Sequence, residues 1–145
     1  MPLPSRRRAW STLCLLALVA LLAGGCASTG KPMQALDRVQ YAWSAAVRWN
    51  DFDSAWQLVD PEWRQAHPLT AQARERYRQI QVTGYTERGG GAVDATSATR
   101  LIDIAVVNRH TMAERTVRYT EHWRYDAAAG TWWITDGLPD LWEGE

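Results

Sequence analysis

The chain has 145 residues, with 16 basic and 16 acidic side chains, so its formal charge is zero. That balance offers none of the basic surface that draws a protein to nucleic acid. The three histidines show no metal-ligand spacing, and no glycine-rich phosphate loop follows a strand pattern, so neither metal nor cofactor is expected.

The bases are unevenly placed. Arg6, Arg7 and Arg8 precede an unbroken apolar run of eleven residues, Leu13 to Ala23. As a helix that run rises only about 16 Å against a bilayer core of about 30 Å, which fits a signal peptide and not a membrane span. It ends in Leu22-Ala23-Gly24-Gly25-Cys26. The ending resembles the lipobox of bacterial lipoproteins. The resemblance implies cleavage before Cys26, a thioether-linked diacylglycerol on its sulfur and usually an amide-linked third chain such as palmitate. The residues by themselves leave open an ordinary cleavable leader with an incidental cysteine, or an uncleaved anchor. At roughly 0.8 kcal/mol per buried methylene, two or three acyl chains hold a protein on a membrane effectively permanently. Ala27, not an aspartate, follows the cysteine, which by the family's sorting rule implies the outer membrane, facing the periplasm.

Residues 1–25 are thus expected to be a leader, 26–32 a short lipidated tether and 33–145 a single domain. Losing the leader removes three bases, no acids and Cys14, which leaves a charge of about −3 and no cysteine pair for a disulfide.

A helical pattern opens the domain from about Met33 to Trp49, with Leu36, Val39, Trp43 and Val47 on one stripe beside Ala46. Asn50-Asp51-Phe52-Asp53 breaks it, and Asp51 or Asp53 can cap a second helix that carries Phe52, Ala55, Trp56 and Val59 inward and stops at Asp60-Pro61. Pro61 can start a short helical turn holding Trp63, ending before Pro68, and Thr70 can cap a third helix with Ala73 and Tyr77. Beyond residue 78 the period changes to alternation. Ile80 and Val82 mark a first strand, and Gly89-Gly90-Gly91 reads as a loop on entropic grounds. Leu101 to Val107 reads as a central strand, Ala113 to Tyr125 as a long third and Thr131 to Asp136 as a last, with turns at Asn108–Thr111 and Ala127–Gly130.

Helices followed by an antiparallel meander predict an α+β domain. The opening helix, the Asn50-Asp51-Phe52 break, a second helix with Ala55 and Leu58, and the closing aromatic hairpins resemble the nuclear transport factor two-like (cystatin-like) α+β family over residues 33–139. That resemblance implies N-terminal helices packed on a strongly bent antiparallel sheet of about four strands, a cone around a pocket.

The third strand carries the candidate pocket. Val117, Tyr119, Trp123 and Tyr125 share one face, and alternation puts Glu121 there too. Trp43 on the first helix is expected opposite. If Tyr125 pairs with Trp132, then Glu121 meets Asp136, and two adjacent carboxylates raise one pKa. A register slip of one residue removes that pair. The favoured reading instead places Glu121 near the cone mouth, hydrated or paired with a nearby arginine such as Arg100. The family contains isomerases and dehydratases that use an acid, a histidine or a tyrosine, but no such motif carries over residue by residue. His122 falls on the opposite face of its strand. Arg74, Arg76 and Arg78 form a basic cluster interleaved with Glu75, and Trp142 lies in a tail near Pro139. The expectation is a non-catalytic envelope lipoprotein, held to the membrane by its anchor and binding a small apolar or aromatic ligand or an envelope protein. The alternatives are a small-molecule isomerase or dehydratase using Glu121 and a structural subunit of an envelope assembly.

Overall fold

The computed structural model describes residues 30–142. The expected leader, Cys26 and the first four tether positions lie outside the described residues. Helix α1 (Gly30–Arg48) buries Ala35, Leu36, Trp43 and Val47, with Val39 and Ala46 packed against the core. It starts before Met33, so Gly30, Lys31 and Pro32 form its first turn. Proline is tolerated there because the first amides of a helix have no carbonyl to bond.

Asn50, at φ 58°, turns the chain out of α1 in a left-handed conformation that asparagine adopts more readily than most residues. Asp51 caps α2 (Phe52–Trp56), accepting from the Ser54 N–H at 3.0 Å. Asp60 caps α3 (Pro61–Ala66) with Pro61 in the first turn, and Thr70 caps α4 (Ala71–Arg78). α2 is shorter than its pattern suggests. After Trp56 the chain extends, and Val59 forms a parallel bridge to Ile134. The Ile134 N–H donates to Leu58 O at 3.0 Å, and the Asp60 N–H donates to Ile134 O at 2.8 Å.

Four strands follow, β1 (Ile80–Ala92), β2 (Ser97–Asn108), β3 (Glu114–Asp126) and β4 (Thr131–Ile134). They form one open antiparallel sheet in chain order. The protein is therefore α+β, with four antiparallel strands. The glycine loop is corrected: Gly89, Gly90 and Gly91 lie within β1, opposite Leu101, Arg100 and Thr99. A β-bulge between Glu87 and Gly89 leads into them. Gly90 has φ 139°, and a Cβ there would sit 2.2 Å from Thr99 O. The ladder needs a residue without a side chain at that point, and this local demand outweighs glycine's entropic cost.

β1 is an edge strand, and side chains cover its first half. Asn50 donates to Ile80 O at 3.1 Å and accepts from the Val82 N–H at 3.0 Å, while Arg48 donates to Tyr85 O at 3.0 Å. Ile80, Val82 and Tyr85 of β1, Ile102, Ile104 and Val106 of β2, Val117 and Trp123 of β3, and Trp132 and Ile134 of β4 are buried. Nearly all of them join the α1 stripe and α2 in one hydrophobic cluster.

Candidate functional site

Glu121 and Arg100 are direct cross-strand partners on β3 and β2. Strict alternation of burial along β3 turns Glu121 inward with Val117 and Trp123, and it is 0% exposed. Arg100 donates through Nε to Glu121 Oε2 at 2.8 Å. Trp123 Nε1–H donates to the same oxygen at 3.0 Å, and the Tyr85 hydroxyl donates to Oε1. Arg100 Nη2 reaches the Tyr85 hydroxyl oxygen at 3.1 Å and Ser44 Oγ at 3.2 Å, and Nη1 reaches Glu87 at 3.4 Å. The Arg100 guanidinium also lies 6.0 Å from the centre of the Trp123 ring, which Trp43 meets edge-on at 6.0 Å. Three strands and the middle of α1 thus meet at one buried ion pair.

Burial pushes the Glu121 carboxyl up from its ordinary value, and the Arg100 charge with the three donors pulls it part of the way back. Burial, then the Glu121 charge, drives the Tyr85 hydroxyl well above its usual range. Tyr85 is therefore a fixed donor at any physiological pH. Glu121 has donors on both oxygens and no exposed surface, so the arrangement ties the sheet to α1. General acid–base work at Glu121 would need a substrate to reach an enclosed carboxylate.

The expected pocket residues separate into two places. Trp43, Glu121 and Trp123 come together. Tyr119 shares their face, and its hydroxyl donates to Gly137 O at 3.2 Å. Tyr125 pairs with Trp132 and Trp123 with Ile134, but the β3–β4 ladder ends there. Asp136 lies beyond its end, exposed, and contacts His122 Nδ1 on the other side of β3. The facing pair of Glu121 and Asp136 is thus replaced by Glu121 with Arg100.

No protein-family model matches the chain, and neither a curated protein nor a solved structure does. The geometry is therefore the guide to function.

Among the described residues, one surface cleft lies away from the buried pair and another shares Tyr85 with it. One, of about 330 Å³, is lined by residues including Asn50, Asp53, Arg74, Tyr77 and Arg109. Its arginines have partners: Arg74 pairs with Asp53 at 2.7 Å, and Arg109 donates to Ile80 O at 3.0 Å. The other, of about 430 Å³, is lined by Arg48, Trp49, Val82, Thr83, Gly84 and Tyr85. Trp49 beside it is 83% exposed. The alternation of the sequence predicts this cleft poorly, because a bulge between Val82 and Gly84 shifts the phase of β1 and turns Tyr85 inward. Gly84 was the available signal, since a glycine inside a strand pattern often marks a bulge.

The other singled-out residues have structural partners. Arg78 pairs with Glu75, and Arg76 lies over Trp142 at 4.3 Å. Trp142 is buried against Tyr77 at 5.0 Å. His67 stacks on Trp63 at 4.4 Å. Among the described residues no group of three His, Cys, Asp or Glu could hold a metal ion, and no helix is long and apolar enough to cross a membrane.

Proposed function

We propose that this chain is a lipid-anchored domain of the bacterial envelope, held through Cys26 on the periplasmic face of the outer membrane, that binds a protein partner and does not transform it. The observation that carries the non-catalytic reading is the closure of Glu121: an inward carboxylate with Arg100, Tyr85 and Trp123 on its oxygens has no room for a substrate. The small-ligand form of the reading loses ground for the same reason, since Trp43 and Trp123 fill the interior where a ligand would sit.

We read the sheet as bent around α1 into a cone. Support comes from the contacts of α1 with both edge strands, β1 and β4, and from two bulges in β1, which raise local twist. On this reading recognition moves to the outside, and the cleft beside Trp49 suits it. An exposed tryptophan next to a recess, with an arginine alongside, is the residue combination that dominates binding energy at protein interfaces.

A photo-crosslinking amino acid at position 49 of the exported chain tests this in cells, with position 120 on the other sheet face as control. A discrete adduct with one envelope protein at position 49 and not at 120 is expected. No adduct at 49, or the same adducts at both positions, overturns the reading.

A further inference from the structure

The point at which the anchor would enter the described domain has a geometric consequence. Gly30 already belongs to α1, so four Cα–Cα steps separate it from Cys26. Fully extended, those steps reach at most about 14 Å. A domain of this size has a radius of gyration of about 13 Å, or roughly 35 Å across. The tether is shorter than the body it holds, so the end of the domain nearest Gly30 must stay beside the bilayer.

The hydrogen bonds identify that end. Trp132 Nε1–H donates to Pro32 O at 2.7 Å, which fixes the start of α1 against the start of β4. Antiparallel pairing brings the end of β1, the start of β2 and the end of β3 to the same edge, and the Tyr125 N–H donates to Thr96 O at 2.8 Å. The turns at 93–96 and 127–130 therefore stand together beside Pro32. Most of their exposed side chains are small or apolar, with Asp94 and Thr96 the exposed polar members of the 93–96 turn. Val93 is 67% exposed, Met33 on α1 is 36% exposed, and Ala127, Ala128 and Ala129 are exposed, with Lys31 close by.

Two acids at this end are occupied by their own turns. Asp94 accepts from the Thr96 N–H at 2.7 Å, and Asp126 accepts from the N–H groups of Ala128 and Ala129 at 3.0 Å. Trp49 follows the last residue of α1, about 28 Å along the helix from Gly30.

We propose that the end of the sheet carrying the 93–96 and 127–130 turns is a bilayer-contact surface. Val93, Met33 and Ala127–Ala129 rest in the lipid headgroup layer, Lys31 lies near lipid phosphates, and the Trp49 cleft is displayed away from the membrane. The proposal rests on lipidation of Cys26, and its test separates the two. Once Cys14 has left with the leader and Cys26 carries lipid, a new cysteine is the site available for a thiol-reactive fluorophore.

The exported, membrane-extracted chain carrying Val93→Cys, Ala128→Cys or Met112→Cys is labelled with an environment-sensitive dye. It is then reconstituted in vesicles of phosphatidylethanolamine and phosphatidylglycerol containing doxyl-labelled lipid. Met112, 71% exposed, lies in the turn at the opposite end of the sheet. Intact mass reports acylation of each sample. The expected result is an acylated mass, with loss of most dye emission at 93 and 128 and little loss at 112. An acylated mass with equal quenching at all three positions, or none at 93 and 128, overturns the contact surface and leaves the anchor standing. An unmodified mass overturns the anchor and the proposal with it.

Discussion

Replacing Arg100 with leucine tests the account of the buried pair most directly. The substitution removes the donors to Glu121 together with those to Tyr85, Ser44 and Glu87. Glu121 keeps the Tyr85 hydroxyl and the Trp123 indole N–H, two neutral donors for a carboxylate with no exposed surface. Removing one partner of a buried pair costs roughly 3–5 kcal/mol, against a typical domain stability of about 5–15 kcal/mol. With a urea slope of about 1.5 kcal/mol/M, the unfolding midpoint of Arg100→Leu should fall by roughly 2–3 M.

The sign of the pH dependence follows from the same site. Without the guanidinium, burial raises the Glu121 carboxyl further, so the folded state holds a proton that the unfolded chain has released. An acid raised in the folded state weakens folding as pH climbs from its unfolded value, about 4.3, through its folded value. Relative to the parent, Arg100→Leu should therefore lose more at pH 8 than at pH 5, and adding Glu121→Gln should recover part of the loss at pH 8. Urea titrations followed by tryptophan fluorescence measure all three. A loss under about 1 kcal/mol, or one equal at both pH values, would refute the reasoning, because it would mean that water reaches Glu121.

Two further outcomes follow from local geometry. Gly90→Ala puts a methyl group 2.2 Å from Thr99 O at φ 139°, and should lower stability by roughly 1–3 kcal/mol, a fall in Tm of about 5–15 °C. Gly89→Ala, where a Cβ meets nothing within 4 Å, should change Tm far less, and equal effects would remove close backbone approach as the cause. At Asp60, burial favours the neutral form, but hydrogen bonds from Arg124 and the Glu62 N–H outweigh it and hold the carboxyl below its ordinary value. A depressed acid stabilises the fold above its unfolded value, and the contribution is lost as pH falls through the folded one. Asp60→Asn should thus cost about 1 kcal/mol at pH 7, held low by the solvent around Arg124, and the gap to the parent should narrow once pH falls below the unfolded carboxyl value, about 3.9. Thermal melts on either side of that value decide it, and a gap that widens in acid would reverse the assignment.

Much of this was legible in residue order wherever one local rule governs. The α1 stripe, a cap at Asp51 or Asp53, the cap at Thr70 and the alternation of β3 follow from spacing, while the pairing of Tyr125 with Trp132 is one of the registers that spacing leaves open. Arg100 as a partner of Glu121 was likewise within reach, as one of three open placements. What escaped depends on contacts between distant segments. Nothing near Gly90 in sequence announces that Thr99 O will press against it. The bulge that brings Tyr85 to Glu121 changes the strand's phase, and period-two reasoning carries no provision for that. Asp136 leaves the inner face because the β3–β4 ladder ends at Ile134, whose own N–H and C=O face away from β3 and bond Leu58 and Asp60.

That last contact reaches beyond β4. A terminal strand of four residues would ordinarily be the first to fray, yet Ile134 is gripped by backbone from both halves of the chain. Peeling it away means unthreading the connection between α2 and α3 as well. The helical half and the strand half are consequently stitched into one cooperative unit, and trimming either should leave a remnant that cannot hold its shape by itself.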